Sequence, residues 1–411
     1  MITYEYGAGR AAGFDNRDAP SEAFIADLRS RFPTEPETDA LLTRKMQRRS
    51  APPYQQVSLE QMTRWLHTML SAQIAGEFTV RDPRWLTGGA SKVQVAFVLD
   101  WDAPGRGPCS DHLVIRMDPS EASNTTSRVR EAELLEAFQT RLPVPRVLWI
   151  DREARWFPEP AIIYTFVPGV AKPRSGSAGQ VVGLGTNFGR RLRELLAPQF
   201  LRDLAIIHTA DVDNMHFESM EQPSVGTREA ARWQLNRARR VWEEDRGEDY
   251  PLMDVAANWL ERNLPVLDRT SIVHGDFRSG NFLFDEASGN ITAWLDWERG
   301  HLGDRHRDLA WMTQREKGHL AEDGKTYLVC GLIPLQDFYE LYERASGLTV
   351  DPVRLRWYRV LNCFQVITTT MATMYRVAKL GKSHQDILLA RLKAIAPIGA
   401  HELCELLEGD L

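Results

Sequence analysis

Cysteine is scarce in this chain: its 411 residues include only Cys109, Cys330, Cys363 and Cys404. No two of them form a C-x-x-C pair, so neither a disulfide framework nor a zinc ribbon is encoded. They read as reduced thiols. Long apolar runs are also missing. The longest uncharged stretch, Val360 to Tyr375, is broken by Asn362, Gln365 and several threonines. It falls short of the ~20 apolar residues that a bilayer span requires. The opening Met1-Ile-Thr-Tyr-Glu-Tyr-Gly has neither the charged start nor the apolar core of a secretory signal. These absences lead us to expect a cytoplasmic protein with no membrane partner.

An excess of positive charge is lacking too. Lys and Arg number 50 against 56 Asp and Glu, for a net charge of −6. No bulk field is present to hold nucleic acid, and no protein partner is implied. No H-E-x-x-H or G-x-S-x-G occurs, which removes the common zinc-peptidase and nucleophile-elbow chemistries. What is present is ordinary for a folded domain: 43% hydrophobic and 26% charged residues.

Residues 1–55 are polar and punctuated by Pro33, Pro36, Pro52 and Pro53, which reads as a partly mobile extension with one or two short helices. Ser58-Leu-Glu-Gln61 is a capping-box signature that opens a helix. Val93-Gln-Val-Ala-Phe-Val-Leu and His112-Leu-Val-Ile-Arg116 read as strands, followed by a helix over about 127–140. Strands at Val147-Leu-Trp-Ile and Ala161 to Val167 complete a sheet-based region stopped by Pro168-Gly169. Beyond Gly169 the pattern turns helical apart from one hairpin near residue 285, with a long helix from Arg354 to Lys379. The expectation is a sheet lobe over 56–168 and a larger helical lobe over 169–411, with a cleft between them.

The chemistry concentrates in Ser271-Ile-Val-His-Gly-Asp-Phe-Arg-Ser-Gly-Asn-Phe-Leu-Phe and the later Ile291-Thr-Ala-Trp-Leu-Asp-Trp-Glu298. A hairpin centred between Ser288 and Gly289 would set Asn281 opposite Asp296 at its open end, with Asp276 just upstream. Two oxygen ligands at one hairpin mouth suit a hard cation completed by water and phosphate oxygens. Asp276 would then stand ready as the base for a hydroxyl, a division of labour suited to phosphoryl transfer.

H-G-D-F-R-S-G-N followed by L-D-W-E resembles the aminoglycoside phosphotransferase and choline kinase-like family. Within it the chain is most similar to the subgroup associated with acyl-CoA dehydrogenases. The resemblance runs from about Ser58 to near the C-terminus. It implies a two-lobed, protein kinase-like α+β fold with a small antiparallel-sheet N-lobe and a mainly helical C-lobe. It also implies an enzyme that moves the γ-phosphate of ATP, with GTP as alternative donor, onto a hydroxyl of a small molecule.

By that resemblance Asp276 is the base, while Asn281 and Asp296 hold Mg²⁺; Glu298 is either a further carboxylate near the metal or a surface residue. Gly88, Gly89 and Ser91 would cover the phosphates. Arg116 would grip them and pair with Glu131, with Glu133 as alternative. Backbone groups near Thr165 and Phe166 would meet adenine. Asp308 would accept amide protons from the loop around His274, and His208 is structural. The acceptor is read as a hydroxylated acyl thioester or other metabolite, which Arg237, Arg239 and Arg240 could meet if it is anionic. An aminoglycoside-type kinase and a silent nucleotide-binding regulator are the alternatives. The acidic run Glu243 to Asp249 reads as a solvated helix end.

Overall fold

The computed structural model describes residues 15–86, 92–119, 121, 122, 124–174, 184–383, 389 and 392–409. Helices α1 (Glu22–Arg31) and α2 (Pro36–Gln47) precede α3 (Leu59–Gln73), whose N-terminus carries the expected capping box. Ser58 Oγ accepts from Gln61 N at 3.1 Å, and Ser58 N donates to Gln61 Oε1 at 3.0 Å.

Strands β1 (Phe78–Trp85), β2 (Val93–Ala103) and β3 (Gly107–Met117) form an antiparallel meander. Helix α4 (Arg128–Phe138) follows, and β4 (Val147–Asp151) and β5 (Ala161–Thr165) complete a sheet ordered β1-β2-β3-β5-β4. Strand β1 has no alternating signature because Asp82-Pro83 interrupts it and its register slips between Arg81 and Arg84. A proline is tolerated there because β1 lies on the edge of the sheet. One face of the sheet packs Val95, Phe97, Leu113, Ile115 and Ile163 against Leu66 and Leu70 of α3.

The second lobe holds α5 (Gly189–His208), α6 (Glu229–Asp245) and α7 (Pro251–Arg262). Strand β6 (Ser271–Val273) then leads to the hairpin β7 (Phe282–Asp285) and β8 (Asn290–Trp294). Strand β9 (His301–Gly303) pairs back on β6 and runs into α8 (His306–Met312). Helices α9 (Leu335–Ser346) and α10 (Pro352–Ile367) come next, and α11 (Met374–Lys379) and α12 (Ala396–Glu408) follow.

This lobe contains more strand than the sequence suggested. The β6–β9 pair and three short strands at His319–Leu320, Tyr327–Val329 and Ile333–Pro334 join the hairpin. Runs of two or three residues are too short to show a period. The helix expected from Arg354 to Lys379 is also interrupted, because Thr368–Thr373 is a π-helical turn between α10 and α11. β-Branched threonines crowd an α-helix, and such turns often mark functional positions.

The described part of the N-terminal segment is docked, contrary to the expected mobility. Lys45 Nζ lies 2.6 Å from Glu244 and 3.1 Å from Asp245 of α6. Arg49 joins Asp245 at 2.7 Å to Glu121, beyond β3, at 2.5 Å. Glu35 takes Arg130 of α4 at 2.8 Å, and Asp39 takes Arg240 of α6 at 2.5 Å. The segment therefore straps one lobe to the other. The acidic run from Glu243 to Asp249 is a solvated helix end only in part: Glu248 and Asp249 are exposed, whereas Glu244 and Asp245 are fully buried in these pairs.

Candidate active site

The loop that carries Asp276 starts where β6 ends. Asp308, near the start of α8, accepts the amide protons of His274 at 2.7 Å and Gly275 at 2.8 Å. His208 supports that carboxylate, with Nε2 3.3 Å from Asp308 and Nδ1 2.9 Å from the Tyr342 hydroxyl. All three side chains are buried. The expected structural roles of Asp308 and His208 are thus one chain of contacts from α9 to the loop.

Gly275 has φ +79°, and a Cβ there would meet the Arg299 carbonyl oxygen at 2.6 Å. Only glycine fits both the left-handed backbone and the close approach. His274 Nε2 lies 3.2 Å from the Leu295 carbonyl, while Nδ1 accepts the Asp276 amide proton at 3.3 Å. That pattern requires a neutral ring, and burial lowers the imidazole pKa accordingly. Beneath the loop, Phe277 stacks on Trp294 at 4.0 Å and His274 lies 4.6 Å from Trp297. Both indoles are fully buried.

The Asp276 carboxylate accepts from Trp311 Nε1 at 2.6 Å and Arg278 Nε at 2.9 Å. Burial raises its pKa, but Arg278, Arg299 and Lys317 outweigh that and hold the carboxyl well below the usual carboxylate range. Asp276 is an anion at neutral pH. Asn281 Nδ2 donates to the Asp276 carbonyl at 2.8 Å. The bond uses the carboxamide nitrogen, with the oxygen as the atom available to a cation.

The hairpin register differs by one residue from the expected one. Phe282 pairs with Trp294, a bulge follows Leu283, and Leu295 N donates to Asn281 O at 2.8 Å. Asn281 therefore faces Leu295, and Asp296 lies one residue beyond. The turn over 286–289 closes on an Asp285 Oδ1 bond to Ser288 N at 2.7 Å, which moves the hairpin centre. Asp296 adopts φ +60°, ψ +43°. This left-handed conformation costs an ordinary residue roughly 1–2 kcal/mol.

Asn281 and Asp296 thus end adjacent strands with one carboxamide and one carboxylate, a donor set suited to Mg²⁺. Among the described residues no group of three His, Cys, Asp or Glu side chains is arranged to hold a metal. A cation here would complete its shell from water and phosphate oxygens.

Arg116 of β3 reaches across the cleft to this pair. Its guanidinium bonds both Asp296 and Glu298, and Glu131 of α4 lies 3.6 Å away. Glu133 is engaged elsewhere, accepting from Glu218 N at 2.8 Å, so Glu131 is the residue beside Arg116. Arg128 bonds Glu131 and also Glu298 at 3.0 Å. Lys92 bonds Asp118 at 2.7 Å and approaches Glu298 at 3.7 Å. Glu298 is therefore buried among three cations. Burial raises its pKa, but Lys92, Arg116 and Arg128 outweigh it and keep Glu298 ionised.

Gly88, Gly89 and Ser91 lie outside the described residues. At the interlobe strand, Thr165 N donates to Arg146 O at 3.0 Å and Phe166 N to His112 O at 2.8 Å. Both amides are committed within the protein, so any adenine contact falls to carbonyls or to the amide of Val167. Of the three arginines offered to an anionic acceptor, Arg239 pairs with Glu261 at 3.2 Å and Arg240 with Glu244 at 2.9 Å. Arg237 donates to the Thr125 carbonyl at 3.2 Å.

Sequence reasoning missed Trp311, Arg278, Lys92 and Arg128. Arg278 was legible, being two residues after Asp276 in the same motif. Trp311 carries no such signal. It reaches Asp276 only because α8 packs under the loop.

A model of the "Phosphotransferase enzyme family" matches residues 94–328. Among curated proteins, "Probable acyl-CoA dehydrogenase IBR3" of Arabidopsis thaliana is 26% identical over 280 residues, covering 64% of this chain. The chain spans 33% of the length of that relative. Two solved structures share the fold. One is an aminoglycoside phosphotransferase APH(4)-Ia mutant in ternary complex with AMP-PNP and hygromycin B. It has a TM-score of 0.53, 16% identity, and coverage of 84% of this chain and 97% of its own. The other is Plasmodium vivax ethanolamine kinase, with a TM-score of 0.53, 12% identity, and coverage of 91% and 97%. The family match spans more than half of the chain and includes the whole loop, hairpin and Arg116 assembly, so this chain belongs to the phosphotransferase enzyme family.

Proposed function

We propose that the chain is a Mg²⁺-dependent O-phosphotransferase that moves the ATP γ-phosphoryl group onto a hydroxyl of a small molecule. The carrying observation is the position of Asp276, an ionised carboxylate fixed by Trp311 and Arg278 and tied through Asn281 to the hairpin mouth. In this reading residues 56–168 cover the nucleotide, residues 169–411 supply the catalytic loop and acceptor site, and residues 15–55 strap the lobes together. Mg²⁺ held by Asn281 and Asp296 would neutralise phosphate charge and align the reacting groups.

Asp276 orients the acceptor hydroxyl and takes its proton late, as the new bond to phosphorus forms. A weakly basic carboxylate suffices because the transition state is loose and needs little nucleophile activation. Arg116 exchanges its contact with Asp296 for phosphate oxygens, where its planar fork suits bidentate binding. The relatives are acyl-CoA dehydrogenase proteins, which supports a hydroxylated acyl thioester or similar metabolite as acceptor. A polycationic antibiotic is disfavoured, since Glu244 and Asp245 are consumed by Lys45, Arg49 and Arg240.

The test is thermal unfolding with and without Mg²⁺·ATP, repeated for Asn281→Ala and Asp296→Ala. Ligand at about 100 times its dissociation constant adds roughly 2.7 kcal/mol. A magnesium-dependent rise lost in both variants is expected. No response to any nucleotide would sink the reading. A silent regulator would bind nucleotide yet behave identically after Asp276→Asn.

A further inference from the structure

Arg237 of α6 and Arg307 of α8 both lie near Arg299, which follows β8 and lies near Asp276. Among the described residues none of the three is paired with a carboxylate; the nearest ones, Glu35, Asp276, Glu298 and Asp308, all carry other partners. Arg307 is 1% exposed, and its Nε and Nη1 have no hydrogen-bond partner. Its Nη2 donates to Gln365 Oε1 at 2.5 Å. Burial and the neighbouring guanidinium of Arg299 push Arg307 down to about 9, and the same two causes push Arg237 down to about 10. Three buried cations that feel carboxylates only at a distance, with no direct ion pair, are costly to fold.

A cavity of about 40 Å³ is lined by Arg237 and Arg299, with Gln365 and Thr368, and Arg307 stands behind Gln365 outside its lining. One water needs roughly 10–15 Å³, so the space holds three or four water-sized groups, such as the oxygens of a carboxylate or phosphate. Thr368 comes from the π-helical turn, is 2% exposed, and its Oγ1 has no partner. Asp245 and Lys45 also line the cavity, but they are held by each other, and Asp245 also by Arg49 and Thr373.

Arg299 links the cavity wall to the loop that carries Asp276. The Arg299 guanidinium lies 4.7 Å from the Trp311 ring, which itself donates to Asp276. Arg307 lies 5.7 Å from the same ring and Lys317 4.2 Å.

We propose that this cavity is an oxyanion pocket, in which Arg237, Arg299 and Thr368 receive the carboxylate or phosphate of a small molecule. Arginine forks and a hydroxyl donor suit such a group, and an anion supplies a direct ion pair. The assignment of the anion to the acceptor rests on the reading of Asp276 as the transfer base. Binding of the anion does not.

Inorganic phosphate titrated into the full chain, followed by calorimetry and thermal unfolding, tests the pocket. Phosphate should raise the wild-type unfolding temperature, and Arg237→Gln, Arg299→Gln and Thr368→Val should weaken it. The two arginine variants should bind about tenfold to a hundredfold more weakly. Asn281→Ala should retain the response, which separates this pocket from phosphate at the nucleotide site. Without phosphate, the two Gln variants should unfold no earlier than wild type, because each removes a buried cation that has no direct ion pair.

No wild-type response, or an unchanged response in the Gln variants, overturns the pocket. Earlier unfolding of both Gln variants assigns the arginines to folding and overturns it equally. Asp276→Asn should keep phosphate binding, so failure of transfer with intact binding sinks only the transfer reading. If the anion belongs to the acceptor, a hydroxycarboxylic acid is phosphorylated, its methyl ester is not, and phosphate competes with it. If it is a separate effector, phosphate changes the rate without competing. Both results support the pocket and choose its source.

Discussion

Arg116 bonds Asp296 across a separation of 180 residues, so a strand of one lobe is tied to the mouth of a hairpin in the other. The guanidinium side chain is 3% exposed and the carboxylate 37%. Arg116 also holds the buried Glu298, and both contacts sit where the nucleotide phosphates are proposed to lie. The cleft is thus closed by charge before any ligand enters it.

Replacing Arg116 by Gln should destabilise the protein by about 3–5 kcal/mol, because Glu298 and Glu131 lose a buried partner. Urea unfolding monitored by tryptophan fluorescence checks this. A loss below about 1 kcal/mol would mean the pairs behave as exposed ones.

The loop contacts of Asp308 predict a graded series. Asp308→Ala leaves the His274 and Gly275 amides buried without an acceptor, at roughly 1–3 kcal/mol each. Tyr342→Phe removes one bond to His208 and should cost about 1 kcal/mol. Amide hydrogen exchange at Gly275 should accelerate strongly in the first variant and little in the second.

Arg278 holds Asp276 ionised, and this has a sign in pH. The folded carboxyl is depressed, so its contribution to stability is present above the unfolded value of about 3.9 and is lost as pH falls below it. Transfer should accordingly be insensitive to this group between about pH 5 and 8. In Arg278→Met the carboxyl rises and an acid limb should move up toward that window. Rate–pH profiles of both proteins decide it; coincident limbs would remove Arg278 from this role.

Arg49 predicts acid sensitivity in the N-terminal strap. It joins Glu121 and Asp245, and Asp245 is held well below its usual range: burial raises it, but Lys45 and Arg49 outweigh that. Arg49→Met should cost about 3–5 kcal/mol at neutral pH. Its acid-unfolding midpoint should shift to higher pH, since Asp245 then takes up a proton earlier. Circular dichroism against pH, with wild type alongside, reads both effects.

Local sequence alone determined the capping box at Ser58, the paired strands at Val93 and His112, the helix capped by Ser127, and the motif from His274 to Asn281. Each depends on residues within a few positions, through alternation, caps or glycine at a left-handed turn. The two-lobed fold and the grouping of Asp276, Asn281 and Asp296 followed from that motif. Tertiary packing decided the rest. The π-turn at Thr368, the one-residue register change at Asn281 and the strapping of residues 15–55 depend on distant partners. So does the choice of Glu131 over Glu133, which α4 settles by the face it turns to Arg116. Trp311 reached Asp276, and three arginines met with no direct ion pair among the described residues, because α6, α8 and the segment after β8 pack together. A chain pattern records which side chains alternate; which charges end up sharing one low-dielectric space is set only when the elements close on each other.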